Sequence, residues 1–159
     1  MEIREVTQQS EKRQIARLVL EDLPDWFGIP EARENYVREG AGLPFFAAYH
    51  EAQPVGFLCL KKTGRDTAEL FVMGVRKEYH RKGIGRALFQ TAKEAALRMG
   101  YSFLQVKTVQ SGRYPEYDQT NQFYLSLGFR EFEVVPTLWD EWNPCQVYVM
   151  SLQSCAEKH

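Results

Sequence analysis

Apolar and polar positions change their period several times along the chain, and each change marks an element. Residues 3–6 alternate weakly and read as a short first strand. Ile15, Leu18 and Val19 then recur at helical spacing, with Ser10 as the expected N-cap and Pro24 as the stop. Pro30 suits a first helical turn, so a second helix is expected to about Glu39, with Gly40 ending it. Residues 45–49 and 55–60 are β-rich runs joined by residues 51–54, the pattern of a hairpin. Residues 68–75 form a third strand. From Ile84 a long helical pattern follows, with Ile84, Leu88, Thr91, Ala95 and Met99 on one face and Gln90, Lys93, Glu94 and Arg98 on the other; Gly100 suits its C′ position. Residues 103–109 read as a strand, 120–127 as a short helix closed by Gly128, and 132–135 and 147–152 as closing strands. Strands and helices thus alternate around one mixed sheet, an α/β arrangement with a strand–turn–long helix–strand unit at its centre.

At 159 residues the pattern favours a single domain over residues 1–159. The chain is 44% apolar and 26% charged, which excludes a disordered or fibrous chain. Twenty Lys and Arg face 21 Asp and Glu, a formal net charge of −1. Any polyanion must then be bound by a local cationic patch, and a nucleic-acid partner is not expected. Three cysteines (Cys59, Cys145, Cys155) without a CxxC pair point away from a disulfide framework or zinc site, and toward a reducing cytoplasm. His50, His80 and His159 show no ligand spacing, so no metal is expected. No apolar run reaches the ~20 residues of a membrane span, and charge begins at the second residue. The expectation is a cytoplasmic protein with no membrane partner.

The informative segment is residues 76–86. Partial positive charge at a helix start favours acids by about 0.3–1 kcal/mol each. This start instead collects Arg76, Lys77, Arg81, Lys82 and Arg86, with only Glu78 opposing them. Gly83 and Gly85 remove side chains where a ligand approaches, leaving backbone N–H groups free to point outward. A phosphate satisfies that arrangement; a solvated basic turn with glycines for geometry is the alternative. No GxxxxGK[ST] run is present, and GIGRAL carries Leu88 at the third glycine of a dinucleotide fingerprint, so both of those phosphate loops are excluded.

The run LFVMGVRKEYHRKGIGRALFQTAKEAALRMGY (70–101) resembles motif A of the GNAT family of N-acetyltransferases, which carries (Gln/Arg)-x-x-Gly-x-(Gly/Ala) at a strand-to-helix junction. Phe123-Tyr124-Leu-Ser-Leu-Gly128-Phe129 resembles that family's later FYxxLGF signature. The resemblance implies a mostly antiparallel mixed sheet, helices on both faces, and a cofactor cleft where strands 4 and 5 splay. It further implies acetyl-CoA as cosubstrate, its pyrophosphate held by amides of Arg81, Lys82, Gly83, Ile84, Gly85 and Arg86. Met73 and Val75 then lie along the pantetheine arm. His80 stands at the Gln/Arg position, which puts that side-chain contact in question while leaving a backbone contact available.

Tyr124 matches the family tyrosine near the CoA sulfur and is the expected acid; a core aromatic anchoring a short helix is the other reading. Glu69 resembles the acidic residue that many members use as base, against a polar residue on a strand's solvent face. Gly74 either marks a bulge or eases packing. Residues 22–28 and 139–142 both combine acids with aromatics, either as a cage for a cationic amine or through core packing of Trp26, Phe27, Trp139 and Trp142. Arg113, Tyr114 and Tyr117 are placed in a loop at the acceptor entrance. The partner implied is a small-molecule or peptide amine, with homodimers common in the family and no interface readable here. The expected reaction is direct attack of a primary amine on the thioester in a ternary complex; the competing reading is a non-catalytic CoA-sensing or interaction module.

Overall fold

The computed structural model describes residues 1–152; Cys155 and His159 lie outside them. The elements are β1 (Glu2–Val6), α1 (Gln9–Glu21), α2 (Pro30–Gly40), β2 (Phe45–His50), β3 (Gln53–Lys62), β4 (Thr67–Val75), a 3₁₀ turn (Lys77–Tyr79), α3 (Ile84–Arg98), β5 (Phe103–Val109), α4 (Pro115–Ser126), β6 (Arg130–Asp140) and β7 (Asn143–Ser151). The strands follow the order β1-β2-β3-β4-β5-β7-β6. The β1–β2, β2–β3, β5–β7 and β6–β7 ladders are antiparallel, and β4–β5 is parallel. Among the described residues no helix is long and apolar enough to cross a membrane.

Two compact units share these elements, one of Met1–Lys61 with Leu70–Ala95, the other of Lys62–Glu69 with the chain from Ala96 on. In the first unit, Ile15, Ala16, Val19 and Leu20 of α1 and Val37 of α2 bury against Phe45, Ala47, Phe57 and Cys59. Alternation along β3 sends Gly56 to the opposite face, where a Cβ on it would lie 3.2 Å from Leu88 of α3. Helices therefore cover both faces of these strands. Arg17 of α1 grips Glu34 of α2 with two hydrogen bonds of 3.1 and 2.7 Å. The β2–β3 turn is two residues long, with Glu51 and Ala52 both at positive φ (51° and 69°), a conformation usually left to Asn-Gly. Phe71 and Val72 both reach the α1–α2 cluster, so the side-chain alternation of β4 slips by one residue there.

In the second unit the parallel ladder runs only from Thr67–Phe103 to Glu69–Gln105, while β5 continues along β7 to the Val109–Cys145 pair. Asn121 of α4 is fully buried. Its Nδ2 donates to the carbonyls of Val109 (2.9 Å) and Tyr117 (2.7 Å), and its Oδ1 accepts from the Tyr148 hydroxyl.

Several boundaries differ from the sequence pattern. Helix α1 has Gln8, not Ser10, at its N-cap, without a side-chain cap bond. Gly40 is the last residue of α2 and is buried, with a Cβ position only 3.2 Å from the Cys59 sulfur; it is a packing glycine. Met99 lies past the end of α3 and is exposed. Helix α4 begins five residues earlier than the apolar pattern suggests, because Pro115 opens it and a polar first turn carries no apolar stripe. Tyr117 consequently sits in the helix rather than in a loop. β6 and β7 are longer than expected and meet in a turn where Asp140 accepts the N–H groups of Trp142 and Asn143.

Candidate functional site

The cationic turn lies wholly within the first unit. β4 ends at Val75, the 3₁₀ turn follows, and α3 opens at Ile84 with no acid in its first turn. Arg81 and Gly83 take positive φ (64° and 79°), which turns successive amides outward, and nothing lies within 4 Å of a Cβ built on Gly83. The first N–H groups of any helix lack intrahelical partners. Here, among the described residues, no acceptor pairs with the N–H groups of Arg81, Lys82, Gly83, Ile84 or Gly85; the α3 ladder starts with Ala87 N–H donating to the Gly83 carbonyl at 3.0 Å.

The cations divide into two sets. Arg76 lies 3.7 Å from Glu78, and Lys77 lies 3.5 Å from Asp25, so both are partly neutralised. Arg81 and Lys82 are exposed and have no carboxylate within ion-pair reach among the described residues; the Lys82 ammonium rests 5.5 Å over the Tyr79 ring. Arg86 is exposed on the first turn of α3. The result is a cluster of cations beside open backbone donors, which suits a multiply charged anion.

His80 differs from what the motif leads one to expect. Its Nε2 donates to the Val75 carbonyl at 2.5 Å, five residues back, and its ring meets Trp26 edge-on at 6.0 Å. The side chain thus ties the turn to the end of β4. Met73 and Val75 are half-buried, with Gly74 fully enclosed between them. A Cβ on Gly74 would lie 2.9 Å from Leu23 and 3.1 Å from Val19, so packing against α1 accounts for this glycine.

Glu69 and Tyr124 belong to the second unit, and neither is on a solvent face. Glu69 is 8% exposed, and the Lys107 ammonium of β5 lies 3.5 Å from its carboxylate, which corrects the solvent-face reading. Cys145 of β7 is buried beside the same pair. Burial pushes its thiol up to about 11, with Lys107 opposing and Glu69 adding to the rise. Tyr124 is buried on α4 among Phe123, Phe129 and Tyr148, at ring distances of 5.7 to 6.2 Å.

Among the aromatics expected to pack in the core, Trp26 and Phe27 lean on the α1–α2 cluster, but Trp139 and Trp142 are 46% and 68% exposed, so core packing is wrong for that pair. They lie at the tight turn that joins β6 to β7. Sequence reasoning missed Lys107, which stands in a plain strand pattern, and Asn121, whose polar side chain in a helix carries no signal of burial.

Residues 41–131, more than half of the chain, match the family model described as "Acetyltransferase (GNAT) domain". No curated protein matches the sequence. Solved structures with the same fold include a GNAT-family protein from Desulfovibrio desulfuricans (20% identity, TM-score 0.82, 96% of this chain and 99% of that one). An aminoglycoside 6′-N-acetyltransferase complexed with coenzyme A is similar over 97% of this chain and 98% of its own, at 17% identity and TM-score 0.74. The ribosomal-protein-S18-alanine N-acetyltransferase of Escherichia coli is similar over 99% of both chains, at 18% identity and TM-score 0.74. The turn 80–85 and the FYxxLGF helix both fall inside the matched segment, and this chain belongs to the GNAT acetyltransferase family.

Proposed function

We propose that the 159 residues form one cytoplasmic domain that transfers an acetyl group from acetyl-CoA to a primary amine by direct attack in a ternary complex. The observation that carries this reading is the row of five backbone N–H groups, Arg81 to Gly85, that have no acceptor among the described residues, at an acid-free helix start inside the family segment. Those donors suit the diphosphate of coenzyme A, with Arg81, Lys82 and Arg86 supplying countercharge. Met73 and Val75 offer backbone groups to the pantetheine arm.

The chemistry assigns roles to two further side chains. A lysine-like amine has a pKa of about 10.4, so removing its proton at pH 7 costs roughly 4–5 kcal/mol. Glu69 accepts that proton, directly or through water, as the nitrogen attacks the thioester carbon. When the tetrahedral intermediate collapses the C–S bond breaks, Tyr124 gives its phenolic proton to the departing thiolate, and the second proton shed by the nitrogen passes through water to restore the phenol. Holding thioester and amine together contributes up to about 7–11 kcal/mol, more than either proton transfer, so positioning dominates.

An aminoglycoside enzyme and a ribosomal-protein-alanine enzyme share this fold. Their names cover a small-molecule and a protein acceptor, so the acceptor here is assigned only as a small-molecule or peptide amine. The test is thiol release from acetyl-CoA in the presence of aminoglycosides, polyamines, amino acids and alanine-terminated peptides, with the acetylated product identified by mass. Amine-dependent release supports the assignment. Tight coenzyme A binding with no turnover on any amine favours the sensing module instead.

A further inference from the structure

The turn that would seat the diphosphate is fastened by His80 and by side chains of the 22–28 loop, which lies outside the family motif. Four contacts converge on residues 75–80. His80 Nε2 donates to the Val75 carbonyl at 2.5 Å. Asp22 Oδ2 accepts the Lys77 backbone N–H at 2.8 Å, filling a donor that the start of the 3₁₀ turn leaves open. Trp26 stands edge-on to the His80 imidazole at 6.0 Å, while Asp25 lies 3.5 Å from the Lys77 ammonium. Because a carbonyl only accepts, the His80 contact requires the proton on Nε2.

These contacts have a mechanical consequence. Arg81 follows His80 directly at positive φ, and the open amides begin at Arg81. Their direction depends on where the backbone of His80 is held. The motif's usual Gln or Arg is replaced here by a shorter ring that reaches back to β4, and the ring is itself backed by the 22–28 loop.

We infer that His80 is a positioning residue for the diphosphate amides, held by a brace of Asp22 and Trp26, so that the 22–28 loop and the cofactor turn respond as one unit. This rests on reading the turn as the coenzyme A seat. Gln carries a donor of similar reach and substitutes for the imidazole; Ala does not.

The experiment is calorimetric titration of coenzyme A into the native protein and the variants His80→Ala, His80→Gln and Asp22→Asn, with thermal melts to confirm folding. Losing one net hydrogen bond from a shared turn weakens binding by about five- to tenfold in His80→Ala and less in Asp22→Asn, while His80→Gln stays within about twofold. A second readout is tryptophan fluorescence: coenzyme A changes the emission of the native protein, and Trp26→Phe removes that change although Trp139 and Trp142 remain. Equal affinity in His80→Ala and native protein overturns the inference, as does equal weakening by Ala and Gln. No binding to the native protein overturns the coenzyme A reading itself, so the two failures are distinct.

Discussion

The Lys107 ammonium lies 3.5 Å from the carboxylate of Glu69, which is 8% exposed. A buried carboxylate is costly without a partner, and this one has a cation on the neighbouring strand. The pair places the Glu69 carboxylate on the β4 strand with its charge faced by Lys107 of β5. Glu69→Gln, equal in size but unable to take a proton, lowers kcat by about a hundredfold and leaves coenzyme A affinity unchanged. Lys107→Met leaves the buried carboxylate without its cation and also lowers kcat/KM, with coenzyme A affinity unchanged. Unchanged kinetics in both variants would remove Glu69 from the chemistry.

Asn121 is the polar hub of the second unit, with two donors and one acceptor all engaged. Asn121→Ala leaves the Val109 carbonyl and the Tyr148 hydroxyl short of partners and destabilises by about 2–4 kcal/mol, read from urea unfolding. Asn121→Asp replaces the donor facing two carbonyls with an acceptor and is at least as damaging.

Gly74 and Gly83 answer oppositely to substitution. Gly74→Ala puts a methyl group 2.9 Å from Leu23 and costs about 1–3 kcal/mol through overpacking. Gly83 faces open space but sits at φ +79°, so Gly83→Ala costs about 1–2 kcal/mol through the backbone alone, and Gly83→Asn recovers part of it. Thermal melts of the three variants check the contrast.

Burial raises Cys145 to about 11, and raises Cys59, Tyr49 and Tyr148 as well. For Tyr49 and Tyr148, neighbouring acids, Glu11 and Glu131 respectively, add to that rise. Each is held neutral in the fold beyond the pH at which it ionises when unfolded. Their stabilising contribution is complete below about pH 8.5–10 and is lost as pH climbs through the raised values. Stability measured by denaturant falls on the alkaline side of pH 9. At pH 8 Cys59 and Cys145 stay unmodified by iodoacetamide in peptide maps of the folded protein and react once it is unfolded.

The central strand, the glycine turn and the long helix were legible because apolar period, punctuation and charge agree there. Residues 103–109 are the observed β5, and Ile84 is the observed start of α3. Legibility fails where contacts across the fold decide. Helix α4 starts at Pro115 under a polar turn, and β6 extends to Asp140 although its residues are largely exposed. In the candidate site, the glycine turn between β4 and α3 was readable from the sequence, yet the direction of the His80 ring depends on Trp26 and Val75, far from the turn or behind it. Glu69 was singled out by resemblance to the family's acidic residue, while its burial and its tie to Lys107 required the fold.

The most direct measurement is titration of coenzyme A against native protein, Gly83→Asn and Gly83→Glu. The account predicts a single site in the native protein that weakens with rising salt, retained binding in the Asn variant, and none in the Glu variant, whose carboxylate enters the diphosphate seat. Coenzyme A binding of native strength in a folded Gly83→Glu protein would contradict it.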